Sequence, residues 1–77
     1  MFGKYDAAKN ACDKALLIDF TDAEIHKTKA DLFLQTGELE EAVESYDNAL
    51  VYDPMDLNVY KGKGVALVKL QQYEQAI

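Results

Sequence analysis

Arginine and tryptophan are absent from this chain of 77 residues, and cysteine, histidine and proline each occur once. Without arginine, and with a net charge of −6, the chain has no cationic face for phosphates and no bidentate donors for bases, so we expect no nucleic-acid partner. The longest aliphatic run, residues 65–68, is far shorter than the roughly 20 residues that span a bilayer, so we expect no membrane insertion. The lone Cys12 cannot form an internal disulfide and no export leader is evident, so we expect a cytoplasmic location.

A repeated motif is what the sequence does contain. Residues 37–43, with the sequence GELEEAV, recur in weaker form at residues 3–9 as GKYDAAK and at residues 71–77 as QQYEQAI, with an offset of 34 residues each time. A fixed period of about 20–50 residues is typical of stacked supersecondary units. Because such solenoids act mainly by presenting surface, the period favours an interaction protein over an enzyme.

Apolar residues at helical spacing predict a helix over about 38–52. Gly37 is expected to close the preceding helix in a left-handed conformation, and Asp53-Pro54 to end this one. Three further helices are predicted over residues 4–18, from a Thr21 cap to about 35, and from an Asp56 cap to about 70, with one turn at 72–77. No alternating strand pattern competes, so the fold class is all-α, with antiparallel neighbours.

Small and large residues at fixed positions predict how the helices pack. Small side chains should let backbones approach closely at Ala30, Ala42, Ala49 and Gly64, and larger ones should fill the gaps at Phe33, Tyr46, Tyr60 and Leu67. A bulky replacement at Ala42 or Gly64 is therefore expected to overpack the core. The first helix should bury the stripe Tyr5, Ala8, Cys12, Ala15 and Leu16.

These positions resemble the tetratricopeptide repeat (TPR), whose unit of about 34 residues reads W-x2-L-G-x2-Y, then A-x3-F, then P. The central unit matches at Ala30, Phe33, Ala42, Tyr46, Ala49 and Asp53-Pro54 and departs at His26 and Lys29. The next unit carries Tyr60-x2-Lys63-Gly64-x2-Leu67, of a kind common in prokaryotic arrays. The resemblance implies an α-α superhelix, with 1–22 as the second half of one repeat, 23–56 as a complete repeat and 57–77 as the first part of another.

The resemblance also implies a concave groove, lined by the first helix of each unit, that takes an extended peptide or a partner's helix. The implied positions are Glu24, Lys27, Asp31, Leu34 and Gln35, followed by Asn58, Lys61, Val65, Val68 and Lys69. This mixture favours a partner with apolar anchors and both signs of charge. A carboxylate clamp is not expected, because Asp31 and Gly62 stand where asparagine is needed and arginine is missing.

No residue pattern indicates catalysis, a metal or a cofactor. His26 has no second histidine or cysteine at metal spacing and is interpreted as a half-buried structural residue. Cys12 occupies an apolar slot and is interpreted as buried and unreactive. Ser45 is expected on an exposed helix face, and the acidic cluster at 38–44 suits a helix N-terminus better than a cation site.

The interpretation is therefore a protein-interaction scaffold of stacked TPR units. Two alternatives remain: a structural spacer or self-associating element, and an accessory segment of a larger enzyme. Self-association is expected because the first and last helices belong to incomplete units. The charge is also uneven, with five lysines against thirteen acidic residues in 1–60 and three against one in 61–77.

Overall fold

The computed structural model describes the backbone of residues 2–76 and the side chains of residues 5–72. It contains four helices, α1 (Phe2–Ile18), α2 (Ala23–Thr36), α3 (Leu39–Tyr52) and α4 (Leu57–Ala76). Residues 2–76 include no strand. The predicted all-α class is confirmed.

The helices lie side by side in a layer. Helices α2, α3 and α4 each contact the other two, whereas α1 contacts α2 alone among the described helices. The molecule measures 40 × 33 × 15 Å, so its thickness is well under half its length. This is a stack of antiparallel helices rather than a bundle around one centre, as the repeat predicts.

Helix α3 supplies the centre of the core. The buried residues are Leu39, Ala42, Ser45, Tyr46 and Ala49 from α3, Ala30 from α2, and Val59 and Ala66 from α4. Half of these are alanines, which allow close approach of the helix backbones. The predicted stripe on α1 is only half-buried, because a single helix covers it.

The turn between α2 and α3 forms as predicted. Gly37 has a φ of 83°, in the left-handed region that a residue with a Cβ rarely adopts. The next amide, at Glu38, donates to the carbonyl of Phe33 at 2.9 Å, and the Gly37 amide donates to that of Leu34 at 3.3 Å. These bonds satisfy carbonyls that the end of α2 would otherwise leave unpaired.

The cap of α2 differs from the prediction by one residue. Asp22 is the cap, and its carboxylate accepts from the Glu24 amide at 3.0 Å. Thr21, the expected cap, instead donates its hydroxyl to Asp19 at 2.5 Å and its amide to the same oxygen at 3.0 Å. These two hydrogen bonds hold the pKa of the Asp19 carboxyl below its usual value.

Helix α4 begins as predicted but ends later. The Asp56 carboxylate caps it by accepting from the Asn58 amide at 2.9 Å. No break occurs near residue 70, and the helix continues to Ala76. Gln71 stands where the repeat places Gly37, and the left-handed turn that Gly37 makes is unfavourable for glutamine. The predicted end near residue 70 is therefore wrong. Residues 72–76, predicted as a separate helical turn, are helical but continue α4, and Ile77 lies outside the described residues.

Three packing predictions are corrected by the structure. No atom lies within 4 Å of a Cβ built on Gly64, whereas a Cβ on Gly62 would lie 2.5 Å from the Tyr46 ring. Ser45, expected to be exposed, is only 7% exposed, because α2 and α4 flank α3 and widen its buried face. Tyr60 and Leu67, expected to fill gaps, are 50% and 47% exposed.

Alanine substitutions at the two glycines of α4 should have opposite effects. Gly62→Ala should lower the free energy of unfolding by roughly 1–3 kcal/mol, because the new methyl group overlaps the Tyr46 ring. Gly64→Ala should raise it by about 0.5–1 kcal/mol, because open space surrounds the site and alanine favours a helix. Urea denaturation followed by circular dichroism measures both, and equal effects at the two positions would contradict this packing.

Residues 57–70 should exchange amide hydrogens faster than residues 38–52. The glycines at 62 and 64 each cost a helix about 1 kcal/mol relative to alanine, and residues 57–70 bury only two side chains where α3 buries five. Native-state hydrogen exchange, resolved by residue, gives the comparison. Faster exchange in α3 than in α4 would show that the glycines do not weaken the helix.

Candidate functional site

The ten predicted groove positions lie on two neighbouring helices, five on α2 and five on α4, and these helices contact each other. None of the ten is buried. Lys27 and Leu34 are half-buried, and the other eight are exposed. The α2 half and the α4 half differ in what their side chains contact.

On α2, Lys27 is held by two carboxylates. Its Nζ lies 3.7 Å from Glu24 Oε2, one turn earlier on the same helix, and 3.9 Å from Asp56 Oδ2 at the start of α4. The second pair joins adjacent units of the repeat. Because these carboxylates already neutralise the ammonium group, Lys27 has less charge to offer a ligand than its position on the helix suggests.

Asp31 is also engaged within the molecule. Its carboxylate accepts a hydrogen bond from the hydroxyl of Tyr46, a side chain of α3 that is completely buried. Burial, followed by this hydrogen bond and the charge of Asp31, raises the pKa of Tyr46 well above its usual value. Asp31 therefore serves the core as well as the surface on which it lies.

The remaining two positions of the α2 half have different roles. Leu34 packs against the core beside Ala30, so its side chain is committed largely to folding. Gln35 is exposed at the last turn of the helix. The α2 half consequently has few uncommitted side chains.

The α4 half forms one shallow depression of about 560 Å³. Its lining comprises Lys61, Gly64, Val65, Val68, Lys69 and Gln72. Val65 and Val68 are 39% and 55% exposed, between the two lysines along the helix. Four of the five predicted α4 positions therefore share one surface, and Asn58 is exposed near the start of the helix outside it.

Three residues that contribute to this surface, Asp56, Gly64 and Gln72, are not among the predicted groove positions. Asp56 is predicted as a cap, and its ion pair with Lys27 depends on the tertiary packing of α4 beside α2. Gly64 and Gln72 complete the depression on α4. Each lies four residues from Val68, on the same face of the helix, so helical spacing does contain a signal for them.

His26 and Cys12 have structural surroundings. The Nε2 atom of His26 lies 2.8 Å from the Phe20 carbonyl, and its ring stacks on Tyr52 with centroids 5.7 Å apart. Tyr60 is the equivalent of His26 one repeat later, and its hydroxyl donates to the Pro54 carbonyl at 3.0 Å. His26 and Tyr60 therefore each bind the backbone of the turn that precedes their own helix. Burial raises the pKa of the half-buried Cys12 thiol, which disfavours the reactive thiolate.

An ion pair ties α1 to the turn before α3. Lys9 Nζ donates to Glu38 Oε1 at 3.0 Å, and the same ammonium group lies 5.3 Å from the centroid of the Phe33 ring. The hydrogen bond from Lys9 lowers the pKa of the Glu38 carboxyl. Glu38 therefore contacts the preceding unit and leaves the start of α3 without a side-chain cap.

Among the side chains that the structure describes, no three from histidine, cysteine, aspartate and glutamate cluster in a way that would hold a metal ion. Over the same part of the chain, no helix has both the length and the apolar character needed to cross a membrane. In comparisons with known proteins, a family model described as "TPR repeat" matches residues 30–71, more than half of the chain. No curated protein matches the chain significantly.

Replacing Tyr46 with phenylalanine should destabilise the protein by about 1 kcal/mol at neutral pH, because the hydrogen bond to Asp31 is lost. The raised pKa of Tyr46 stabilises the fold below the ordinary tyrosine pKa of about 10, and this contribution is lost as the pH rises above it. The parent chain should therefore lose stability above that pH more steeply than Tyr46→Phe.

Urea unfolding at a series of alkaline pH values measures this difference. Tyr52→Phe is the matched control, since Tyr52 lies on the same helix but is 41% exposed. The pH dependence of the control should follow that of the parent chain. Identical slopes for the parent and Tyr46→Phe would show that the buried hydroxyl does not govern alkaline stability.

Proposed function

Because the chain belongs to the TPR repeat family, we propose that it is a protein-interaction module that binds a peptide or a partner's helix along the face shared by α2 and α4. TPR repeats generally mediate protein–protein interaction. The observation that carries the proposal is the α4 depression, in which exposed Val65 and Val68 lie between Lys61 and Lys69.

The two valines would supply the apolar part of the binding energy. Burying a valine side chain contributes about 1.5–3 kcal/mol when the whole side chain leaves water, and both valines are still partly exposed. Neighbouring exposed apolar residues with polar surroundings are typical of interaction sites. One aliphatic side chain of the partner, seated against Val65 and Val68, would serve as the anchor.

The charges select the flanking residues of the partner. Lys61 and Lys69 are exposed, and neither forms an ion pair among the described residues. Lys27 and Asp31 on α2 are already engaged by Asp56 and Tyr46. The partner class is therefore a segment with an aliphatic anchor flanked by acidic residues on the α4 side, with mixed polar residues over α2.

A non-catalytic role completes the proposal, supported by the structural roles of His26 and Cys12 and by the typical function of the family as a scaffold. The cytoplasmic location stays a prediction from the sequence. The alternatives are a spacer with an empty groove and an accessory segment of a larger enzyme. A spacer would bind no peptide at the α4 depression, which makes peptide binding the discriminating measurement.

The double substitution Lys61→Glu with Lys69→Glu should weaken binding of an acidic peptide with one leucine anchor by about tenfold or more, because two favourable charge pairs become repulsive. The measurement is fluorescence anisotropy at fixed ionic strength with a set of such labelled peptides. Circular dichroism checks that both proteins keep the same helicity.

Lys14→Glu is the matched control, because Lys14 is an exposed lysine on α1, away from this face. It changes the net charge in the same direction, by half as much, and should leave affinity nearly unchanged. A loss of binding free energy in the control of about half that in the double variant would indicate attraction by net charge alone. No binding of any anchored acidic peptide to the parent chain would contradict the proposal.

A further inference from the structure

Helices α1 and α3 both pack against α2 but do not contact each other. The space between them is a cavity of about 220 Å³, which we call the α1–α3 groove. Helix α1 contributes Leu16 to its lining. Helix α3 contributes polar residues to the lining, namely Glu41, Glu44, Ser45 and Asn48.

Contacts within the chain close both ends of this groove. At one end Lys9 of α1 donates to Glu38, just before α3. At the other end the rings of Phe20 and Tyr52 lie with their centroids 6.4 Å apart. The groove therefore lies between helices that are all described, and a further unit of the repeat would extend the layer beyond α1 or α4 without covering it.

Ser45 gives the groove a buried polar group. The residue is only 7% exposed and lines the groove. Its hydroxyl forms no hydrogen bond with a described residue, whereas the hydroxyls of Thr28 and Thr36 each donate to a carbonyl of their own helix. No completely shielded side-chain oxygen or nitrogen in the described part of the chain lacks a partner, so the Ser45 oxygen faces the groove. Because buried hydroxyls are normally hydrogen-bonded, Ser45 indicates a group bound there.

The groove also carries negative charge that no described side chain neutralises. Glu41 and Glu44 line it beside Ser45, and neither forms an ion pair with a described residue. Lys29 also lines the groove, but its ammonium group is already paired with Asp13 of α1. A cationic group is therefore the ligand that the charge of the groove favours.

The acceptors of α3 lie along one side of the helix. Glu41, Ser45 and Asn48 are spaced at i, i+4 and i+7, so a carboxylate, a hydroxyl and an amide oxygen face the same ligand. A guanidinium group has five N–H donors and no acceptor, which suits several neighbouring oxygens better than the compact ammonium group of lysine. A metal ion suits the groove less well, because no three metal-ligating side chains of the described residues cluster.

We propose that the α1–α3 groove binds an arginine side chain of a partner protein. The guanidinium group lies against the carboxylates of Glu41 and Glu44 and donates to the Ser45 hydroxyl and to the amide oxygen of Asn48. Charge-assisted hydrogen bonds of this kind are stronger than bonds between neutral groups, so one arginine contributes much of the affinity.

An exposed aromatic surface adjoins the groove at its Phe20 end. Phe20 is 65% exposed and Tyr52 is 41% exposed. His26, which lines the groove, stacks on Tyr52 with ring centroids 5.7 Å apart, so the aromatic surface begins where the groove ends. Exposed apolar residues beside polar ones are typical of interaction sites. The partner segment therefore carries an apolar residue close to its arginine.

This site goes beyond the proposed function, because it lies on the opposite face of α2 from the candidate peptide groove. Lys29 and Phe33 line the α1–α3 groove, whereas Lys27 and Asp31 belong to the other face. Residues two positions apart on a helix are separated by about 200° of rotation. The two sites share no residue, so both can be occupied at once.

Fluorescence anisotropy with short labelled peptides tests the proposal. Each peptide contains one arginine and one leucine, separated by two to four glycine or serine residues, and no acidic residue. The parent chain should bind at least one of them. Replacing its arginine by citrulline, which is uncharged and of similar shape, should weaken binding at least about tenfold. Replacing it by lysine should weaken binding about threefold, because fewer donors reach the oxygens.

Three results with the peptides would overturn the arginine site. These are equal binding of the citrulline peptide, equal binding of the lysine peptide, and no binding of any arginine peptide at about 1 mM protein. The peptides lack the acidic residues that the α4 depression favours, so none of these results bears on the proposed function.

Substitutions on α3 locate the site. Glu41→Gln should weaken binding of the arginine peptide about fivefold, because one charge-assisted contact is lost. Glu40→Gln is the matched control, since Glu40 is exposed in the same first turn of α3 but does not line the groove. Ser45→Ala should weaken binding about threefold and keep the same helicity by circular dichroism, because alanine favours a helix.

Equal weakening by Glu41→Gln and Glu40→Gln would show that only net charge attracts the peptide and would sink the proposal. Unchanged affinity in either Glu41→Gln or Ser45→Ala would do the same, because the arginine would then lie elsewhere. Neither variant should weaken binding of the acidic peptides to the α4 depression, so the two proposals stand or fail separately.

Discussion

The packing of Tyr46 between two neighbouring helices is the contact on which the arrangement of the core depends. Its ring occupies the space that Gly62 leaves on α4, and its hydroxyl reaches Asp31 on α2. The side chain is completely buried, yet its one polar group is bonded, so the core gains a large side chain without an unsatisfied donor. One residue of α3 thereby fixes the positions of both neighbouring helices.

The two halves of the candidate groove differ in how far their side chains are engaged within the protein. Most side chains of the α2 half bond to or pack against other residues of the fold, whereas those of the α4 half are available to a partner. Asp31 and Lys27 lie at surface positions but bond to Tyr46 and Asp56, which stabilises the repeat. Helical spacing places most of the ten groove residues away from the buried core, and in the structure none of the ten is buried, although Leu34 packs against the core. Spacing says nothing about contacts between residues far apart in sequence. The sequence therefore does not predict that the α4 side chains are more available to a partner than those of α2, because this difference depends on how the helices pack.

Much of the fold follows from local signals, and the exceptions have physical causes. The spacing of apolar residues predicts the helices, and Gly37 predicts the turn between α2 and α3, because each signal lies within the element that it specifies. Thr21 and Asp22 are both good caps, and the choice depends on Asp19 holding Thr21. Which of the two glycines of α4 faces Tyr46 depends on the register of α4 against α3, and that register is a tertiary property.

The positions of Tyr46 and Gly62 correspond, 34 residues earlier, to Cys12 and Thr28, which both line an open cleft between α1 and α2. One junction combines an aromatic ring with a hydrogen atom, and the other combines two side chains of intermediate volume. At the Tyr46–Gly62 junction a larger residue at 62 would overlap the ring, and a smaller residue at 46 would leave a void, so the two positions constrain each other's size.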